Sequence, residues 1–222
     1  MLEQEKITEL KKELIAFGTL AETMIAKSIR GLLKKEKATL REIIEEREPE
    51  ANAFEIKIEE LCVSVIAQYQ PMAKELRTVL MIFKMASDIE RIGDHAVNIA
   101  ESALFLMDKQ PVKPLIDIPR MADETTKSVD DAIMAFINED ALQAKNVCER
   151  DDIIDGLQVQ IFRELTTFMT SDPTTIERAL HLIRIASNLE RIADLATNIS
   201  EDVIFMVEGR VIKHHREEGS NP

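Results

Sequence analysis

The sequence predicts an all-α protein that contains two tandem repeats, each an antiparallel three-helix bundle, with six helices in total. Three observations lead to this prediction: the composition, the helical spacing of apolar residues and an internal repeat. Of the 222 residues, 45% are hydrophobic but only 4% are aromatic, Trp is absent, and Gly and Pro number 6 and 7. Sheet proteins need more turn, β-branched and aromatic residues, so this composition favours long helices.

The internal repeat is clearest in a sixteen-residue segment that occurs twice. The first copy, SDIERIGDHAVNIAES, begins at Ser87, and the second, SNLERIADLATNISED, begins 100 residues later at Ser187. Nine of the sixteen positions are identical. The identical positions include polar residues at helical spacing, which packing alone would leave free to vary.

The first half is predicted to form three helices. Apolar residues recur at helical spacing, and the helices are expected at about 4–35, 38–69 and 72–107. Gln70-Pro71 should end the second helix, because a residue that precedes proline avoids the α region. Pro71 suits the first turn of the third helix. Pro49 should kink the second helix next to Glu48.

A Pro-rich connection, DKQPVKPLIDIP, separates the halves, and we place the repeats at 1–110 and 111–222. The second half repeats the pattern, with helices expected at about 121–138, 140–170 and from Pro173 to 208. Asp172-Pro173 repeats the Gln70-Pro71 signal, and Ser171 or Asp172 can cap the last helix. Short turns between three helices are typical of an antiparallel bundle.

The charge and the remaining composition restrict the classes of function. A net charge of −13 repels nucleic acid and anionic lipid but suits cations or a basic patch on a protein partner. The first residues are charged, and no apolar run approaches about 18 residues, so we expect a cytoplasmic protein. Cys62 and Cys148 stand alone and are expected to be buried thiols. No nucleotide-binding or catalytic motif is present, so we expect no enzyme.

Both third helices carry a polar stripe on the side roughly opposite their apolar seam. The stripe comprises Glu90, Asp94, Asn98 and Glu101 in the first repeat and Glu190, Asp194, Asn198 and Glu201 in the second. Three interpretations remain open. The first is a solvated face, since charged residues usually stay in water. The second is a row of ion pairs that involves Arg91 and Arg191. The third is a set of metal ligands, since carboxylates at i and i+4 can share a cation.

The second helices favour the metal interpretation. They carry oxygen-bearing pairs at the same spacing, Glu48 with Asn52 and Asp151 with Asp155. Glu48 lies 23 residues before Pro71 and Asp94 lies 23 after it, which places both side chains at one height on antiparallel helices. Such crowded carboxylates repel unless protons or cations intervene. The Glu-x-x-His element of di-iron bundles is missing, which argues against a carboxylate-bundle oxidase or metal store, the alternative function.

The repeated motifs ERIGDHAVNIAE and ERIADLATNISE, together with ELCVSVIAQYQP, RELTTFMTSDP and PVKPLIDIP, resemble the PhoU family. Its members are accessory regulators of the phosphate-specific ABC transporter. The likeness covers nearly the whole chain and keeps the order and spacing of the family. It implies two three-helix bundles related by pseudo-symmetry, usually in a homodimer, and no enzymatic activity.

The resemblance also implies specific ligands and partners. Its metal motif falls on Glu90/Asp94, Glu190/Asp194 and Asp151/Asp155, and less exactly on Glu48/Asn52. The expected cofactors are metal ions, as multinuclear iron or zinc, with Mg²⁺ and Mn²⁺ as alternatives. Because Asn52 is neutral, we expect fewer or looser ions at the first site. The implied function is negative control of phosphate uptake and starvation signalling, through contacts with the ATPase of the transporter and a sensor histidine kinase.

Overall fold

The computed structural model describes residues 2–209, and within that range the chain is helical apart from short connections. Residue 1 and residues 210–222, the outer ends of the two predicted repeats, lie outside it. The helices are α1 (Leu2–Lys34), α2 (Lys37–Glu42), α3 (Glu48–Tyr69), α4 (Ala73–Leu106), α5 (Asp117–Asn138), α6 (Ala141–Glu149), α7 (Asp151–Ser171) and α8 (Ile176–Glu208). Helices α2 and α3 form one interrupted rod, as do α6 and α7, so the described chain has six rods. The predicted all-α class and the two three-helix bundles are confirmed.

The core is one continuous cluster that contains residues of both bundles. In α1 the residues predicted from helical spacing, including Leu10, Leu14 and Phe17, are at most 1% exposed. In α8 the predicted seam is equally buried, as at Ile185 and Leu189. Burial of these apolar side chains drives the packing of the rods into bundles.

The two bundles pack together mainly through α4 and α8, with a second contact between α1 and α5. Helices α4 and α8 run antiparallel, because Lys84 near the start of α4 meets Asp202 near the end of α8. Arg184, which occupies the position in α8 equivalent to Lys84, approaches Glu101 near the end of α4. Lys84 and Arg184 are equivalent, and each contacts an acid near the far end of the other helix, so an approximate two-fold axis relates the repeats.

Both second rods are interrupted one position before the predicted metal motif. In the first bundle Ile43–Arg47 forms a π-helical turn, in which the N–H of Glu48 donates to the C=O of Ile43. This widened turn lies directly before Pro49, at the place where a kink is predicted. In the second bundle the helix breaks at Arg150, between α6 and α7. The sequence around Arg150 contains no proline, so this second break was not predicted.

Two prolines lie differently from the prediction. Pro71 precedes α4 rather than occupying its first turn, since Met72 is extended and α4 begins at Ala73. Gln70 adopts the left-handed conformation, with φ of 49°, which closes α3 through a hydrogen bond from its N–H to the C=O of Ile66. Pro119 was assigned to the connection but lies in the first turn of α5, where its missing N–H leaves no bond unmade.

The connection between the bundles is anchored by a buried lysine. The side chain of Lys113 is 5% exposed, donates to Asp117 at 3.1 Å and forms an ion pair with Glu164 of α7. A buried ammonium needs such partners, so they hold the connection against the second bundle. Among the described helices, none combines the length and the apolar character required to cross a membrane.

Candidate metal-binding faces

The structure brings acids of α3 and α4 together on one side of the first bundle. Glu90 is half-buried, and its pKa rises to about 7, first because burial disfavours its charge and then because Asp94, Glu55 and Glu48 are close enough to repel it. Glu48 therefore lies near Glu90. The equal distances from Pro71 pair Glu48 with Asp94, four residues later on α4, and that pairing stays a prediction. We call Glu48, Glu55, Glu90 and Asp94 the first acidic face.

The second bundle repeats the arrangement on α7 and α8. Burial raises the pKa of Glu190, and repulsion from Asp194, Asp155 and Asp151 raises it further. The pKa of Asp194 is also raised, first by burial and then by the neighbouring Asp155. We call Asp151, Asp155, Glu190 and Asp194 the second acidic face.

The two faces are open to solvent rather than enclosed. Glu48 and Asp151 are half-buried like the two glutamates, whereas Asn52, Asp155, Asp94 and Asp194 are exposed. Within residues 2–209, no three His, Cys, Asp or Glu side chains stand close enough to hold an ion between them. The carboxylates therefore share an electrostatic field, and binding an ion would require their side chains to draw together. Their chemistry fits hard cations, which take carboxylate oxygens from flexible sets.

Glu55 is a member of the first face that sequence reasoning missed. It is half-buried, and burial and the neighbouring Glu59 and Asp94 raise its pKa. The equivalent position in the second repeat is Gln158, just as Asn52 corresponds to Asp155. Each repeat thus carries one amide and one carboxylate at these two positions, in opposite order. The signal was present in the sequence, since Glu55 lies seven residues after Glu48 on the same side of the helix.

Asn98 and Asn198 lie away from the α3 and α7 acids, in a cleft between α4 and α8 that Asp94 and Asp194 also line. The amide of Asn98 donates to the C=O of Asp94 at 3.0 Å, and its oxygen accepts from Arg184 at 2.9 Å. The oxygen of Asn98 thus already serves a contact between the bundles. Its role as a metal ligand stays a prediction.

Other sequence predictions concern single residues. Cys62 and Cys148 are buried free thiols, as predicted. His95, which Leu195 replaces in the second repeat, is half-buried, and its Nδ1 lies 2.9 Å from Oδ1 of Asn188 in α8. It therefore belongs to the contact between the bundles.

Comparison with known proteins gives the same family for both repeats. The model of the PhoU domain matches residues 14–103 and again residues 118–203. The phosphate-specific transport system accessory protein PhoU homolog of Aquifex aeolicus is 39% identical over 95% of each chain. PhoU homolog 2 of Thermotoga maritima, which carries the same accessory-protein name, is 36% identical over 96% of this chain and 91% of its own.

Solved structures show the same fold. The crystal structure of PhoU from Pseudomonas aeruginosa superimposes with a TM-score of 0.90 at 32% identity, over 93% of this chain and 99% of the other. The phosphate transport system regulatory protein PhoU from Streptococcus pneumoniae gives a TM-score of 0.89 at 25% identity, over 96% and 100%. These proteins are named as accessory or regulatory proteins, not as enzymes.

Proposed function

The chain belongs to the PhoU family, and from this premise we propose that it is an accessory protein that regulates a phosphate-specific transport system and binds metal ions at its two acidic faces. The chain is not an enzyme, in keeping with the names of its relatives. The proposed ions are iron or zinc, with Mg²⁺ or Mn²⁺ as alternatives. The proposed control is negative: the protein reduces phosphate uptake and starvation signalling.

One observation carries the metal proposal: acids from two different helices crowd together in each repeat. Asp94, Glu55 and Glu48 repel the carboxylate of Glu90, and Asp194, Asp155 and Asp151 repel that of Glu190. A cation that binds between them removes this repulsion and adds ligand bonds, so it binds the folded chain and stabilises it. Ions would enter from solvent, since both faces are open.

Regulation is proposed to occur through protein contacts. The proposed partners are the ATPase of the transporter and a sensor histidine kinase, which would hold this cytoplasmic, homodimeric protein near the membrane. The net charge of −13 supports association with basic surfaces, because complementary charge speeds encounter and selects partners. The names of the relatives support the link to phosphate transport.

Elemental analysis of the native protein tests the metal proposal. We expect bound ions in wild type and a loss of ions from one face when Glu90→Gln and Asp94→Asn are combined. Replacing Glu190 and Asp194 in the same way should empty the other face. The control is Asp123→Asn with Glu177→Gln, two exposed acids outside both faces. Ion-free native protein whose melting temperature does not respond to added iron, zinc, Mn²⁺ or Mg²⁺ would refute metal binding.

Phosphate uptake in cells tests the regulatory proposal. Cells that lack this protein should take up labelled phosphate without restraint, and the wild-type chain should restore the restraint. We expect the variant that combines all four replacements, at Glu90, Asp94, Glu190 and Asp194, to restore this restraint poorly, while the control variant restores it fully. Equal restoration by the wild type, the four-residue variant and the control would show that regulation does not depend on the acidic faces.

A further inference from the structure

A cleft of about 390 Å³ lies between α4 and α8, on the side of the molecule that carries both acidic faces. We call it the junction cleft. Each repeat contributes an arginine, an aspartate and an asparagine at equivalent positions, and the approximate two-fold axis passes between them. The lining residues used below are Arg91, Asp94, His95, Arg191 and Asp194.

We propose that the junction cleft binds a phosphate group, held between Arg91 and Arg191, and that metal bound at the acidic faces strengthens this binding. The second half of this inference rests on the proposed metal function. The first half rests on the lining of the cleft, where an arginine from each bundle borders one small polar space.

The two arginines are available for a ligand. Arg191 is exposed, and its guanidinium group attracts the neighbouring carboxylates of Glu190 and Asp194. The side chain of Arg91 is 58% exposed, lies 3.5 Å from Asp88 and also attracts the carboxylate of Glu90. A guanidinium group presents a planar fork of N–H donors that matches two oxygens of a phosphate. Two forks from opposite walls can contact different oxygens of one tetrahedral anion.

His95 adds a polar atom of known type to the cleft. The amide nitrogen of Asn188 donates to the C=O of Arg184 at 2.7 Å, so its Oδ1 is the atom that faces His95. An amide oxygen only accepts, and Nδ1 of His95 must therefore carry the hydrogen. This leaves Nε2 to accept the hydrogen of a protonated phosphate oxygen.

The same cleft contains two opposing charges. Asp94 and Asp194 line it beside the arginines, so their carboxylates cancel the attraction that the guanidinium groups exert on an anion. Both aspartates also belong to the acidic faces. Cations bound there would neutralise them and leave the arginines unopposed. Metal and phosphate should accordingly favour each other, by the same factor in both directions.

Calorimetric titration of the full chain with inorganic phosphate tests the inference. One sample is treated with chelator, and the other is loaded with Mn²⁺ and freed of excess ion, with metal content measured in both. We expect the loaded protein to bind phosphate at least about tenfold more tightly than the chelated protein. Arg91→Gln and Arg191→Gln should each weaken binding to the loaded protein by about tenfold or more. Arg163→Gln, an exposed arginine on α7, is the matched control and should bind as wild type does.

The outcomes separate this inference from the proposed function. A chain that holds Mn²⁺ but does not bind phosphate overturns the phosphate site and leaves metal binding intact. Equal affinity with and without Mn²⁺ overturns the linkage. Equal affinity in the two cleft variants and the Arg163 control overturns the assignment to the arginines. All of these arginines are exposed, so circular dichroism should confirm folded variants.

The phosphate group could be free or attached to a larger molecule. A parallel titration with glycerol phosphate distinguishes these sources. This monoester keeps three terminal phosphate oxygens and carries an organic group on the fourth. Tighter binding of inorganic phosphate indicates the free anion, and tighter binding of the ester indicates a phosphorylated ligand. Sulfate, which has no hydrogen to donate to Nε2 of His95 at neutral pH, should bind more weakly than phosphate. Sulfate binding as tight as that of phosphate would overturn the role of His95.

Discussion

At the scale of single residues, Glu90 shows how crowding at an acidic face affects stability. Its folded pKa of about 7 lies above the ordinary value of 4.5, so the folded chain holds this proton more tightly than the unfolded chain does. Stability that depends on Glu90 is therefore present below pH 4.5 and is lost as the pH rises to about 7.

Replacing this carboxylate by an amide should remove the effect. In the presence of chelator at pH 8, we expect Glu90→Gln to melt about 2–4 °C above wild type, because it cannot become charged. At pH 4.5 the two proteins should melt together. Glu60→Gln, an exposed acid on α3 outside the face, is the control. An equal gain from Glu60→Gln, or a gain from Glu90→Gln that persists at pH 4.5, would contradict this explanation.

Asp202 is a second residue whose charge depends on one partner. It is 5% exposed, its Oδ1 accepts from Nζ of Lys84 at 2.6 Å, and its Oδ2 has no partner among the described residues. Burial raises its pKa to about 6 although Lys84 opposes that shift. The contribution of Asp202 to the free energy of unfolding thus falls as the pH rises from 3.8, the ordinary pKa of an aspartate, to about 6.

Replacing Lys84 should show how far the stability depends on the charge of Asp202. We expect Lys84→Met to lower the free energy of unfolding by about 1–3 kcal/mol at pH 8, because a buried carboxylate loses its partner. The loss should shrink toward pH 4, where Asp202 is protonated. Arg184→Met is the control at the equivalent position, and it should cost less than about 1 kcal/mol because its partner Glu101 is 51% exposed. Urea denaturation at both pH values measures the difference, and equal losses in the two variants would contradict it.

At the scale of helices, apolar spacing located all six rods but not their irregularities. Pro49 predicted an irregularity next to Glu48 but not its form, a π-helical turn, and the break at Arg150 carries no Pro or Gly signal. Both depend on how the rod packs against its neighbours, which a single sequence does not display. The approach of Glu48 to the acids of α4 was predictable, since residues at equal distances from a turn lie at one height. The equal distances pair Glu48 with Asp94, however, and the acid that Glu48 repels is Glu90, four residues earlier. Glu55 was missed because it lies outside the i, i+4 pair that drew attention.

Two glycines allow the packing of these rods to be tested. A Cβ at Gly31 of α1 would lie 2.5 Å from Cδ2 of Leu40, a fully buried side chain of α2. Gly31→Ala should therefore destabilise the protein by about 1–3 kcal/mol through overpacking. At Gly156 of α7 a Cβ meets nothing within 4 Å. Gly156→Ala should instead stabilise by about 0.5–1 kcal/mol, since alanine favours the helix.

Chemical denaturation of both glycine variants decides this prediction. Opposite signs are expected, with the midpoint lowered for Gly31→Ala and raised for Gly156→Ala. A neutral Gly31→Ala would show that Leu40 moves aside without loss, and that α1 and α2 are packed more loosely than the structure indicates.

At the scale of the whole molecule, the repeats are not independent bundles. The buried cluster is continuous through both, and α4 lies along α8 for much of its length. We expect one cooperative transition in urea, monitored by circular dichroism, rather than one for each repeat. Two separate transitions in wild type would show that each bundle folds alone. The sequence predicted two repeats but not this shared interior, because identical apolar seams satisfy either arrangement.

The approximate two-fold axis also shapes any complex that the protein forms. Its two acidic faces adjoin the same cleft and are related by this axis, so a two-fold symmetric dimeric partner would meet an equivalent surface with each of its subunits. When one subunit of the partner binds one acidic face, its second subunit is held close to the other face. Two weak contacts then give a long-lived complex. A single polypeptide can thereby bind bivalently, which most proteins achieve only as a dimer.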